Sequence, residues 1–151
     1  MIYLGTDLVY IPRIAQALDR FGQRFLNRVY TDQEQAACWR SSPSEAARLE
    51  TVRPETVRPE IIDRLAARWA AKEAIVKALG TGWLGVGYRD VEIIRQASGA
   101  PTVGFHGRAI AVADSLAPPG RRCVWQVSFS HDRDYATATA IAIVVPSEPL
   151  G

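Results

Sequence analysis

RLAARWAAKEAIVKALGTGWLGVG, Arg64 to Gly87, runs from an alanine-rich helix into a glycine-rich loop, and the rest of the chain is organised around it. Leu65, Trp69, Val76 and Leu79 advance by four, seven and three residues, the stripe of an amphipathic helix. The seven-residue gap contains a position that should be apolar and is Lys72, which therefore points inward or along the wall. At about 100° per residue, Glu73 falls about 80° from the stripe centre and Lys77 about 120°, so this acid and base share one edge of the helix. Such an edge is placed to line a cleft. Of the 18 basic residues only two are lysines, and both fall in this helix. A lysine ammonium acts as a point charge where arginine presents a planar fork, and phosphate neutralisation is work that lysine does well. As a solvated helical ion pair Glu73 and Lys77 would contribute about 0.3 to 0.5 kcal/mol. The lysine distribution and the Gly80-Thr81-Gly82 sequel favour a site instead.

A chain of 151 residues, 48% hydrophobic and 23% charged, reads as one soluble globular domain spanning 1–151 with a proper core. Disorder and fibres are excluded as global descriptions. Met1 to Ile11 lacks the basic start and long apolar run of a signal peptide, and no later segment reaches membrane-spanning length. The expectation is a cytoplasmic protein without a membrane partner. Cys38 and Cys123 are too few for a disulfide framework or a zinc site and read as reduced thiols. A net charge of +2 is too small to announce a nucleic-acid binder.

Taken in order, Ile2 to Asp7 reads as a first strand ending in a Gly-Thr-Asp turn, with Pro12 opening a helix to about Phe21. Asp7 then sits at a strand end. Arg13, Arg20, Arg24 and Arg28, with Phe21 and Phe25 among them, form a basic surface suited to an acidic protein partner. Thr31-Asp32-Gln33-Glu34 has the form of a capping box and predicts a helix from about Asp32 to Trp39. From about 40 to 60 the composition turns to loop chemistry, with TVRPE twice in tandem between Thr51 and Glu60, a local insertion. Ile61 to Leu79 is the central helix, and Gly80 to Gly87 has the backbone freedom to approach a phosphate closely.

Val91 to Arg95 and Thr102 to Phe105 form a hairpin about Ser98-Gly99-Ala100-Pro101. Arg108 to Leu116 fits a helix, and Arg122 to Ser130 and Ala136 to Val145 two further strands joined by the residues from Ser130 to Tyr135. Ser128-Phe129-Ser130-His131 ends a strand in polar groups suited to holding a phosphate. Ser130, His131 and Asp132 are sequence neighbours, which argues against a hydrolase triad, whose members converge from separate places. The order β-ααα-ββ-α-ββ predicts an α+β domain with a mainly antiparallel sheet.

LGTD at Leu4 to Asp7, RFLNRVYT at Arg24 to Thr31, RWAAKEAIVKALGTG at Arg68 to Gly82, the Gly99-Ala100-Pro101 turn and SFSH at Ser128 to His131 occur together in this order. Together they resemble holo-acyl-carrier-protein synthase, the short type of 4′-phosphopantetheinyl transferase. The resemblance covers nearly the whole chain apart from about 40–60, and WAAKEAIVKALGTG is its most specific part. Tyr10 stands where the family usually carries an acid.

The resemblance implies transfer of phosphopantetheine from coenzyme A to a carrier-protein serine, with release of adenosine 3′,5′-bisphosphate. It maps Mg²⁺ ligands onto Asp7 and Glu73 and a phosphate-neutralising cation onto Lys77, the three catalytic candidates. Mg²⁺ commonly takes one or two carboxylates plus substrate phosphates, which these residue types fit. The base for the serine is Glu73, Asp7 or a metal-associated water. Arg68, Lys72, Ser130 and His131 are implied around the coenzyme A phosphates, with Gly80, Thr81 and Gly82 shaping the nucleotide pocket. Arg13, Arg20, Arg24, Phe25 and Arg28 match the surface that docks an acidic acyl carrier protein. A homotrimer with interfacial sites, serving fatty-acid or other lipid biosynthesis, is the implied assembly and role. Two rival readings make different expectations: a non-catalytic carrier-binding homologue binds carrier without modifying it, and an arginine-rich nucleic-acid-binding domain needs no Mg²⁺.

Overall fold

The computed structural model describes residues 1–39 and 57–147. The predicted insertion falls mostly outside the described residues, and its last part does not behave as a loop. Pro59 and Glu60, from the second TVRPE, already form the first turn of the central helix, where a proline without an N–H costs nothing.

The described elements, numbered in chain order, begin with β1 (Ile2–Tyr10), α1 (Ile11–Phe21), α2 (Gln23–Val29), α3 (Asp32–Trp39) and α4 (Pro59–Leu79). A 3₁₀ turn (Tyr88–Asp90) follows, then β2 (Val91–Arg95), β3 (Pro101–Phe105), α5 (Gly107–Ser115), β4 (Arg121–Asp132) and β5 (Tyr135–Pro146). Every pairing is antiparallel: β1-β5-β4 form one sheet and β2-β3 a separate hairpin. The α+β class holds, with the sheet split in two and, among the described residues, one helix more than expected. The extra helix is α2, which carries Arg24 and Arg28 of the basic surface. Gly22, at φ 53°, ends α1 and starts α2, which is anchored by buried Leu26 and Val29.

Helix α4 lies across the three-stranded sheet, and small residues on both sides set how closely. Ala136, Ala138, Ala140 and Ala142 alternate inward along β5, while α4 presents Ala66, Ala70, Ala71 and Ala74, all buried. The closest approach is at Gly5, where an added Cβ would overlap the Ala74 carbonyl oxygen. Gly5 therefore serves close packing, and the expected Gly-Thr-Asp turn is absent. β5 supplies pairing partners to all nine residues of β1, so Asp7, opposite Ala138, lies within the strand rather than at its end. β4 and β5 are likewise longer than predicted. They meet at a tight turn over Arg133 and Asp134, with Arg133 at φ 51°, so Ser130 and His131 are strand residues.

The predicted capping box is formed: the Thr31 amide donates to Glu34 Oε2 at 2.9 Å and the Glu34 amide to Thr31 Oγ1 at 3.2 Å. Glu34 is only 1% exposed, however, because the same carboxylate also meets Lys72.

Candidate active site

Two turns of α4 and the middle of β1 bring the three catalytic candidates to one place. Asp7 shares the inner face of β1 with Gly5 and Val9 and so looks toward α4. The close approach at Gly5 lets Lys77 reach across: its ammonium donates to Asp7 Oδ1 at 2.7 Å and to the Thr6 carbonyl at 3.0 Å. Asp7 is mostly covered, and Lys77 is half exposed. One turn back, Glu73 Oε1 accepts a hydrogen bond from the Trp83 indole at 3.0 Å. Asp7 and Glu73 both line a cavity of about 420 Å³, together with Tyr10, Arg13, Phe25 and Trp69.

These residues fit a hard divalent cation. Each carboxylate has one oxygen engaged and its second without a protein hydrogen bond among the described residues. Mg²⁺ needs no third carboxylate when substrate phosphates complete its shell. That suits a site where the described residues form no cluster of three or more acids, histidines or cysteines. Tyr10, on the cavity wall, packs its ring against Tyr135 at 5.4 Å.

A second cavity, of about 440 Å³, opens beside the first half of α4 and is lined by Arg64, Arg68, Arg95, Phe129, Ser130 and His131. Arg68 is 4% exposed, and its Nε is buried with no hydrogen-bond partner, while Nη1 donates to the Arg64 carbonyl. A buried donor left open on a basic wall is what an anion would satisfy. His131 Nδ1 lies 3.8 Å from Asp63 Oδ2. Ser130 and His131 both line this cavity, but as consecutive strand residues their side chains point to opposite faces. His131 faces α4, whereas Ser130 shares the outer face with Leu8, Thr137 and Tyr135. Arg64 and Arg95 were not among the sequence candidates; nothing in their local spacing separates them from the other arginines.

Lys72 requires a correction. Expected beside the coenzyme phosphates, it is instead sealed in the core at 1% exposure. Its ammonium contacts Glu34 Oε2 at 2.7 Å and donates to the carbonyls of Val29 (2.9 Å), Tyr88 (2.8 Å) and Val91 (2.7 Å). With four oxygens around three N–H groups, nothing remains for a ligand. Burial pushes the Lys72 pKa down, opposed chiefly by the negative Glu34. The residue ties α2, α3, the 3₁₀ turn and β2 to α4.

At the end of α4, Gly80 (φ 77°) closes the helix by donating to the Val76 and Lys77 carbonyls, and Gly82 (φ 57°) turns the chain back. Gly80, Thr81 and Gly82 are exposed, next to Lys77. Arg13, Arg20, Arg24 and Arg28 are exposed on α1 and α2, with Phe25 half-buried between them. Arg13 and Phe25 also line the Asp7–Glu73 cavity, so the basic face borders it.

The family profile described as the 4′-phosphopantetheinyl transferase superfamily matches residues 3–140. A holo-[acyl-carrier-protein] synthase of Gloeobacter violaceus is 52% identical over 140 residues, covering 93% of this chain and 91% of that protein. The Koribacter versatilis protein of the same name is 44% identical over 138 residues, covering 91% and 94%. Among solved structures, holo-[acyl-carrier-protein] synthase from Neisseria meningitidis superposes with a TM-score of 0.72 at 30% identity, covering 95% of this chain and 99% of that one. The coenzyme A complex of the Chronobacterium ammoniagenes enzyme superposes with a TM-score of 0.70 at 26% identity, covering 94% and 96%. The fold, the order of the motifs and this coverage make the conclusion direct: the chain belongs to the 4′-phosphopantetheinyl transferase superfamily.

Proposed function

We propose that this protein is a holo-acyl-carrier-protein synthase, which moves 4′-phosphopantetheine from coenzyme A to a serine hydroxyl of an apo acyl carrier protein. The observation that carries the reading is that Asp7 and Glu73 line one cavity while Lys77 donates to Asp7 at 2.7 Å. The serine oxygen forms a bond to the pantetheine-side phosphorus, and the bond from that phosphorus to the bridging oxygen breaks. The electron pair leaves with adenosine 3′,5′-bisphosphate. The serine proton passes to a carboxylate of the site, Asp7 or Glu73. Lys77 faces the phosphate charge that grows on the leaving side, where a preplaced cation lowers the barrier.

Asp7 and Glu73 would hold Mg²⁺, which when bound supplies positive charge against the diphosphate. The basic cavity with the open Arg68 Nε is suited to a further phosphate of coenzyme A, and the half of it bearing His131 belongs to the same reading. The glycine-rich turn at Gly80 to Gly82 borders the nucleotide. The basic face of α1 and α2 receives the acidic carrier.

A homotrimer is part of the proposal, and an apolar sheet face supports it. Ile2, Leu4, Leu8, Tyr10, Tyr135 and Ile143 are all exposed, on the two strands β1 and β5. A monomer rarely leaves such a contiguous patch open. Ser130 lies on that same outer face, so copies packed through it would bring Ser130 to a neighbour's site. We assign the work to the cytoplasm and to lipid biosynthesis; among the described residues no helix is long and apolar enough to cross a membrane.

The test is to incubate the protein with coenzyme A, Mg²⁺ and an apo acyl carrier protein and weigh the carrier. A gain of one phosphopantetheine, abolished by EDTA, is expected. Absence of any gain with fatty-acid, polyketide and peptide-synthetase carriers alike overturns the assignment, and carrier binding without gain identifies a non-catalytic homologue.

A further inference from the structure

We infer that Trp83 is a positioning residue for Glu73: its indole N–H fixes one carboxylate oxygen and thereby presents the other to the cation. The inference rests on the reading that Glu73 is a metal ligand. Trp83 sits inside the glycine-rich loop, between Gly82 at φ 57° and Gly85 at φ 79°, and its indole reaches Glu73 on α4 while Leu84 is exposed. The indole N–H lies 3.0 Å from Glu73 Oε1. An indole nitrogen donates and cannot accept, so the contact has one polarity and one direction.

The ring is itself held. Trp83 packs on Tyr88 at 4.2 Å between centroids, Tyr88 stacks on Trp69 at 5.3 Å, and Trp69 stacks on Phe25 at 6.0 Å. The Tyr88 carbonyl accepts from buried Lys72, so the base of this aromatic row is tied to the core. A glutamate on a helix has three rotatable bonds and would otherwise sample several directions into the cavity. A neutral donor restrains it without cancelling its charge. That is the difference between the two acids of the site: Asp7 is paired with a cation, Lys77, while Glu73 accepts from a neutral indole. Partners that orient a metal-binding carboxylate typically change metal affinity or activity by about 10- to 100-fold when removed.

The experiment is an Mg²⁺ titration of the protein saturated with coenzyme A, labelled with 5-fluorotryptophan and read by ¹⁹F NMR. Trp69 lines the cavity with Glu73 and reports in every variant. Trp83→Phe keeps a ring to stack on Tyr88 and lacks the N–H; Trp83→Leu lacks both. The expected result is a Kd for Mg²⁺ weakened about tenfold in Trp83→Phe, with the melting temperature close to that of the parent. In the transfer reaction, kcat should recover toward the parent value at saturating Mg²⁺ and KM for the carrier should not change. An unchanged Kd in Trp83→Phe overturns the inference, as does a Kd weakened in Trp83→Leu alone, which would assign the effect to ring packing. Failure of the parent protein itself to bind Mg²⁺ overturns the reading of the site, and the inference with it.

Discussion

Replacing Lys72 by methionine distinguishes its two assigned roles, tying the core together and holding a phosphate. In the structure Lys72 is fully enclosed, 2.7 Å from Glu34, whose side chain is equally buried, and it donates to three main-chain carbonyls on α2, the 3₁₀ turn and β2. Methionine nearly preserves the volume and removes the charge. Glu34 then keeps its bonds from the Thr31 and Ile93 amides, at 2.9 Å each, but faces no cation. Breaking a buried pair by removing one partner costs about 3 to 5 kcal/mol. For a chain of this size each kcal/mol lowers the melting temperature by about 2 to 4 °C, so a fall of about 6 to 20 °C is expected. Calorimetry or circular dichroism measures it, beside KM for coenzyme A in the fraction that remains folded. The double replacement Lys72→Met with Glu34→Leu should recover much of the loss, because it removes the orphaned charge. A melting temperature within about 2 °C of the parent, together with a raised KM for coenzyme A, would refute the structural role and return Lys72 to the phosphates.

Other consequences are equally open to measurement. Asp7→Asn and Glu73→Gln should each lower turnover by about 10²-fold or more at nearly constant stability, since each removes a ligand charge at constant shape; near-parental turnover in either would mean that the ligands lie elsewhere. Arg24→Glu should raise KM for the carrier with kcat retained, and the effect should shrink as salt is added. Burial raises the Cys38 thiol from its ordinary value of 9.0 to about 11, so its contribution to stability is whole below pH 9 and is lost as pH rises through 11. Tyr30, also raised by burial, acts in the same sense at higher pH. Denaturant titrations should show stability falling by up to roughly 1.4 kcal/mol per pH unit in that window, and Cys38→Ala should flatten the fall.

What was legible in the sequence was what local chemistry determines. The Thr31–Glu34 capping box specifies α3 because both of its hydrogen bonds lie within four residues. The β2–β3 strand pair and α4 follow from period and from turn residues. The stripe placed Lys72 inward or along the wall, but its destination was not readable, since Glu34, Val29, Tyr88 and Val91 meet only when four elements pack. Gly5 shows the same limit. A glycine between a strand and an acid reads as a turn, yet here it lets β1 run on beneath α4 at Ala74. With β1 extended, Asp7 falls within a strand, and β4 extended likewise sends Ser130 and His131 to opposite faces. Trp83 was passed over as loop because its partner, Glu73, is fixed by the fold of the glycine-rich turn rather than by any helical spacing.

The central claim is that Asp7 and Glu73 together hold the divalent cation that meets the coenzyme diphosphate beside Lys77. Crystals grown with coenzyme A and Mn²⁺ in place of Mg²⁺ test it through the anomalous signal of the metal. One peak is expected within coordination distance of both the Asp7 and the Glu73 carboxylates, with diphosphate oxygens completing the shell and Lys77 alongside. A peak away from these two side chains, or a diphosphate bound with no metal between it and them, contradicts the account.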